Sequence, residues 1–145
     1  MMHFNETMQS WLAAFLDDAG AVAGTVHVHE NGGLRLAACH NIPEKVQEVV
    51  AWVPNGKGMA GLALERGEPV QTCNLQEDRT GAVKPGAKAV DARAAVAFPV
   101  HDRLGSIVAV VGAAFMDDRE IAGPELERLQ RASASLANLS QGISN

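Results

Sequence analysis

Three glycines in the stretch VVAWVPNGKGMAG, Gly56, Gly58 and Gly61, spell G-x-G-x-x-G. That spacing lets backbone N–H groups close around a pyrophosphate at the start of a helix. The chemistry also needs a parallel crossover of at least roughly 10–12 residues and an acidic residue about 20 positions on, at a strand end. Here Gly67 stops the following helix after about two turns, Pro54 interrupts the strand before it, and Glu77 and Asp78 fall in a turn-rich stretch. Lys57 is followed by Gly58, where a Walker loop needs Ser or Thr. The glycines are therefore read as a sharp turn into a short helix that packs close to a sheet.

Metal chemistry would need His27, His29, His40 and Cys39 to converge. If Asn31-Gly32 forms a two-residue turn, His27 lies opposite Leu36, and Cys39 lies opposite Gly24 on the other face. His40 shares the histidine face but sits roughly 13 Å from His27 along the strand. No tetrahedral set closes, and ordinary strand histidines are expected. No G-x-S-x-G, Ser/His/Asp spacing, H-E-x-x-H or paired C-x-x-C supports a hydrolase or a zinc site.

The elements that must position these residues follow from periodicity. The chain has 145 residues, 47% hydrophobic and 20% charged, which suits one globular domain over residues 1–145. Phe4, Met8, Trp11, Leu12, Phe15 and Leu16 recur at helical spacing and predict a helix within residues 1–18, with Asn5 or Thr7 as its cap. Ala21 to His29 and Leu34 to His40 flank Asn31-Gly32 and predict a hairpin. Pro43 opens a short helix over Glu44 to Ala51. A second runs from about Met59 to Arg66, and a strand follows from Pro69 to Thr72. Residues 73–91 read as a long lid loop. Arg93 to Val100 and Ser106 to Phe115 form a second hairpin, and Gly123-Pro124 opens a last helix over 124–143.

The second hairpin says most about function. With Val100 opposite Ile107, one face collects Ala94, Val96, Phe98, Val100, Ile107, Ala109, Val111 and Ala113. The other collects Arg93, Ala95, Ala97, Val108, Val110, Gly112 and Ala114. A sheet apolar on both faces is covered on both. Its small-residue face leaves room for a ligand, and Arg93 at the edge offers a cation for an anionic one, although pairing with Asp91 or Glu77 accounts for it equally.

In order and spacing, the G-x-G-x-x-G-x-A-x-x-x-G-x-P stretch from Gly56 to Pro69, the strand exit from Val70 to Leu75, and Ala97-Phe98-Pro99-Val100 with Asp102 and Gly105 resemble the GAF domain family. The resemblance implies an α+β fold. It has a central antiparallel sheet of about five to six strands, the N- and C-terminal helices on one face, and short helices and a long lid loop over a small-molecule pocket on the other. It points to a ligand-binding set of Arg93, Ala95, Gly112, Met59, Cys73 and His27, with the ligand unidentified and no cofactor or metal indicated.

One branch of the family comprises free methionine-R-sulfoxide reductases, whose chemistry needs an attacking thiolate and a resolving thiol. That branch carries a cysteine after the glycine turn, where this chain has Met59-Ala60, and more in the lid, where residues 74–92 have none. Cys73 is the one redox candidate, against its simpler reading as a small buried hydrophobe. The residues of cyclic-nucleotide-binding and bilin-binding members have no counterpart here.

Catalysis is not expected; ligand sensing is. A charge of −5 with no basic cluster, and four Phe, two Trp and no Tyr, argue against nucleic acid. The absence of a long apolar run or an export signal, with two cysteines, fits a cytoplasmic protein without a membrane span. Phe4, Met8, Trp11, Phe15, Leu129 and Leu136 supply a candidate homodimer interface, with Leu12, Leu16 and Leu139 in reserve. With no output domain evident in the sequence, a signal would pass through these helices or a partner protein. A dimerisation module with a vestigial pocket is the remaining alternative.

Overall fold

The computed structural model describes residues 4–72, 93–117 and 119–143. The expected lid, and Cys73 with it, lies outside them. Helix α1, Glu6–Ala19, is capped by Asn5, whose Oδ1 accepts from the Met8 N–H at 2.9 Å. It ends where Gly20 turns left-handed, φ 74°. Strands β1, Ala23–Glu30, and β2, Gly33–His40, are joined at Asn31 and Gly32. Both take positive φ, 39° and 83°, as a type I′ turn demands.

Short helix α2, Glu44–Val49, and strand β3, Trp52–Pro54, lead through the glycine turn into helix α3, Gly58–Arg66. Strands β4, Val70–Thr72, β5, Ala94–His101, and β6, Ile107–Phe115, follow. The six strands form one sheet in the order β3-β2-β1-β6-β5-β4, every neighbouring pair antiparallel.

Two apolar clusters cover the two faces. On one, Val26, Val96, Phe98, Val111 and Phe115 meet Met8, Leu12, Phe15 and Leu16 of α1. On the other, Leu34, Val53, Val70, Ala97 and Val110 meet Ala63 and Leu64 of α3. The expected separation of terminal helices from short helices therefore holds.

The single helix expected over 124–143 is instead two, α4, Gly123–Ala134, and α5, Leu136–Ile143. The break is at Ser135, whose hydroxyl donates to the Ala132 carbonyl at 2.8 Å and competes with the helical ladder. The same oxygen accepts from Trp11 Nε1–H at 2.9 Å, which fastens α1 to the break.

Bulges correct both hairpin registers. Val26 pairs with Ala38 and His27 with Leu36, so Ala37 is an extra residue on β2. Cys39 consequently lies opposite Thr25, not Gly24, and shares the His27 face, while exposed His40 moves to the other. In the second hairpin Val100 pairs with Ala109 and His101 with Ile107, so Val108 is extra. Ile107 therefore joins the α3 side and Val108 the terminal-helix side, the reverse of the expected assignment.

Met8, Phe15, Leu129 and Leu136 are buried in the chain's own core, as are Leu12 and Leu16. A side chain packed there presents no area to a second subunit. Of the six expected interface residues, Phe4 and Trp11 are half-buried, and Trp11 stacks on Phe15 with ring centres 5.1 Å apart.

Candidate functional site

The alternation of β5 and β6 places Ala95 opposite Ala114 and Ala97 opposite Gly112. These four small residues leave a depression in the α3 face of the sheet, and a cavity of about 140 Å³ lies over it. On β1, Thr25 and His27 extend the floor. Ile42, Val46 and Val50, in and around α2, form one wall. The start of α3, Lys57 to Ala60, forms another.

Gly112 is required by the floor: a Cβ there would come within 2.9 Å of the Thr25 hydroxyl oxygen. Gly24 also borders the cavity. A Cβ at Gly24 would lie 2.6 Å from the Gly112 carbonyl oxygen and 2.7 Å from Leu16 Cδ2 of α1. Cavity floor and terminal helix are therefore in direct contact through the β1–β6 pair.

His27 is 2% exposed, and its Nε2–H donates to the Val50 carbonyl at 2.8 Å. That bond ties the α2 wall to the floor and fixes which ring nitrogen carries the proton in the neutral ring. The ring of His29 donates through Nδ1–H to the Ile107 carbonyl at 2.9 Å. Among the described residues, no three of His, Cys, Asp and Glu come together in a way that could hold a metal ion.

The glycine turn is closed by its own amides. The N–H of Gly56 donates to Gly61 O at 2.9 Å and that of Lys57 to Pro54 O at 3.1 Å. Amides engaged inside the turn do not face a phosphate. Gly61 allows the helix to approach closely, since a Cβ there would sit 2.6 Å from the Pro54 carbonyl oxygen.

Of the residues expected at a ligand site, His27, Met59, Ala95 and Gly112 line the cavity. Arg93 does not line it: it is exposed just before β5, and its N–H donates to Phe115 O at 2.8 Å, beyond the Ala95–Ala114 pair. Among the described residues, the basic residue in the lining is Lys57, exposed at the N-cap of α3. The sequence reading missed Lys57 and the α2 wall. Val46 and Val50, one helical turn apart, carried the signal for that wall.

The cysteine within the described residues, Cys39, is a buried free thiol whose pKa is pushed up by burial. Such a thiol is a poor nucleophile.

The chain belongs to the GAF domain family, whose pattern matches residues 2–139, a family of ligand-binding regulatory and sensory domains. No curated protein matches the sequence. Among solved structures, a GAF domain/HD domain protein from Geobacter sulfurreducens superposes with a TM-score of 0.76 at 11% identity, over 96% of this chain and 92% of that one. A type II free methionine-R-sulfoxide reductase from Thermoplasma acidophilum gives 0.71 at 15% identity, over 92% and 89%. The NreA protein of Staphylococcus aureus, mutated in its nitrate binding site, gives 0.69 at 14%, over 88% and 98%. At these identities the likeness is one of fold, and function is argued from the site.

Proposed function

We propose that this chain is a sensory or regulatory GAF domain that binds a small molecule in the cavity between α3 and the Ala95–Ala97–Gly112 floor. One observation carries the reading. Small side chains on both strands open an apolar space bordered by the start of α3, with His27 holding its α2 wall in place. The nitrate site named for NreA is consistent with a ligand-binding use of this fold.

Signalling is assigned to α1 and the α4–α5 pair, because Gly24, at the border of the cavity, packs against Leu16 of α1. A homodimer would use the half-buried apolar residues of these helices, Trp11, Leu126 and Leu139, in place of the fully buried ones. Among the described residues no helix is long and apolar enough to cross a membrane, and we assign the protein to the cytoplasm.

The reductase reading has less support. Met59-Ala60 stand where that branch carries a cysteine, and Cys39 is held in its neutral form by burial. Methionine-sulfoxide turnover that disappears in Cys73→Ser would restore it.

The test is a thermal-shift screen of small metabolites on the wild type and on Ala95→Leu, whose longer side chain fills the cavity. A ligand that raises the wild-type Tm and leaves Ala95→Leu unchanged supports the reading. Equal shifts in both would place binding elsewhere.

A further inference from the structure

Most of the cavity lining is hydrocarbon: Ile42, Val46, Val50, Val53, Ala95 and Ala97 bring no polar side-chain atom to it. Its floor nevertheless carries a hydroxyl. Thr25 pairs with Gly112 across β1 and β6, and its Oγ1 lies 2.9 Å from where a Gly112 Cβ would stand. The hydroxyl therefore borders the gap left by the missing Gly112 side chain, on the α3 face of the sheet. Thr25 is half-buried, and among the described residues its hydroxyl makes no hydrogen bond. The other polar side chain of the floor, His27, already gives its Nε2–H to the Val50 carbonyl at 2.8 Å. A valine at position 25 would match the shape of threonine without bringing a polar group to an apolar surface, so the hydroxyl oxygen is the feature to be explained.

Charge on the ligand is disfavoured here. Among the described residues the lining holds no carboxylate, and Lys57, its basic residue, is exposed. An ion entering the cavity would leave water without a buried counter-charge. We infer that the ligand is an uncharged, mostly apolar molecule with one hydrogen-bonding oxygen, and that Thr25 Oγ1 is the group that holds this oxygen. The apolar body then lies against Ala95, Ala97 and the α2 wall. A threonine hydroxyl both donates and accepts, so a hydroxyl or a carbonyl on the ligand serves equally. This assignment rests on the pocket reading above and adds the polarity and orientation of what fills it.

Phenol, toluene and benzoate share a ring and differ in the one group it carries, and NMR of the Ala95, Ala97 and Met59 methyl groups follows their binding at neutral pH. Phenol and toluene are expected to shift these signals, and benzoate to leave them unmoved. Thr25→Val keeps the side-chain shape and removes the oxygen. It should weaken phenol by about tenfold and hold toluene within about twofold, the toluene titration reporting that the variant is folded with its cavity intact. Thr25→Ser, which keeps a hydroxyl, should retain most of the phenol affinity. Phenol binding indifferent to Thr25→Val, or benzoate binding as tight as that of phenol, overturns the assignment while the pocket stands. Loss of toluene together with phenol in Thr25→Val overturns it too, since Thr25 would then act on the shape of the pocket. Methyl signals unmoved by any probe overturn the ligand class, and if the metabolite screen is also silent the pocket reading falls with it.

Discussion

The Nε2–H of His27 donates to the carbonyl of Val50 at 2.8 Å, and this bond joins the floor of the cavity to its α2 wall. His27 is buried, so its loss cannot be made good readily by solvent. Replacing it with Leu should cost about 1–3 kcal/mol, read as a lower urea midpoint at unchanged m, because the Val50 carbonyl loses its donor. A variant as stable as the wild type would show that the wall does not depend on this bond.

Gly24 lets Leu16 of α1 pack closely on the β1–β6 pair. Gly24→Ala places a methyl group 2.6 Å from the Gly112 carbonyl oxygen and 2.7 Å from Leu16 Cδ2, so the β1–β6 pair must shift and the Leu16 side chain of α1 must repack to admit it. The expected cost is about 1–3 kcal/mol, with altered fluorescence from Trp11 on the same helix. Trp52→Phe removes the other indole from the signal. As a contrast, Leu104, 91% exposed at the β5–β6 turn, should accept Ser with a change inside about 0.5 kcal/mol.

Much of this architecture was legible in the chain. Asn31-Gly32, Gly67 and Gly123-Pro124 are residues whose backbone chemistry dictates a turn or a helix boundary, and each does so here. The small-residue alternation of Ala95, Ala97, Gly112 and Ala114 likewise pointed to the cavity floor. The bulges at Ala37 and Val108 were not legible, since nothing in either residue type demands an extra position and each shifts only the register beyond it. Nor was Lys57. Arg93 looked suitable by proximity in sequence to the floor, whereas the basic residue in the lining, among those described, comes from the glycine turn that leads into α3.

Burial raises the pKa of the Cys39 thiol above its ordinary value of 9.0, so the unfolded chain ionises there first. The sign follows: the folded state binds the proton more tightly, and stability falls as pH rises from about 9 towards the folded pKa. Chemical denaturation from pH 8 upwards should show this loss, and Cys39→Ala should flatten it. In the native state at neutral pH, Cys39 should react with a thiol reagent far more slowly than in urea. Equal rates in the two states would show that the thiol is not shielded.

The central claim is that the cavity over Ala95, Ala97 and Gly112 holds a small molecule. Native mass spectrometry of gently purified wild type and Ala95→Leu tests it most directly, and the same spectra report subunit number. The account predicts a noncovalent adduct on the wild type that is lost on denaturation and missing from Ala95→Leu. An adduct retained in full by Ala95→Leu, or a wild type that carries none even after incubation with metabolite extract, would contradict it.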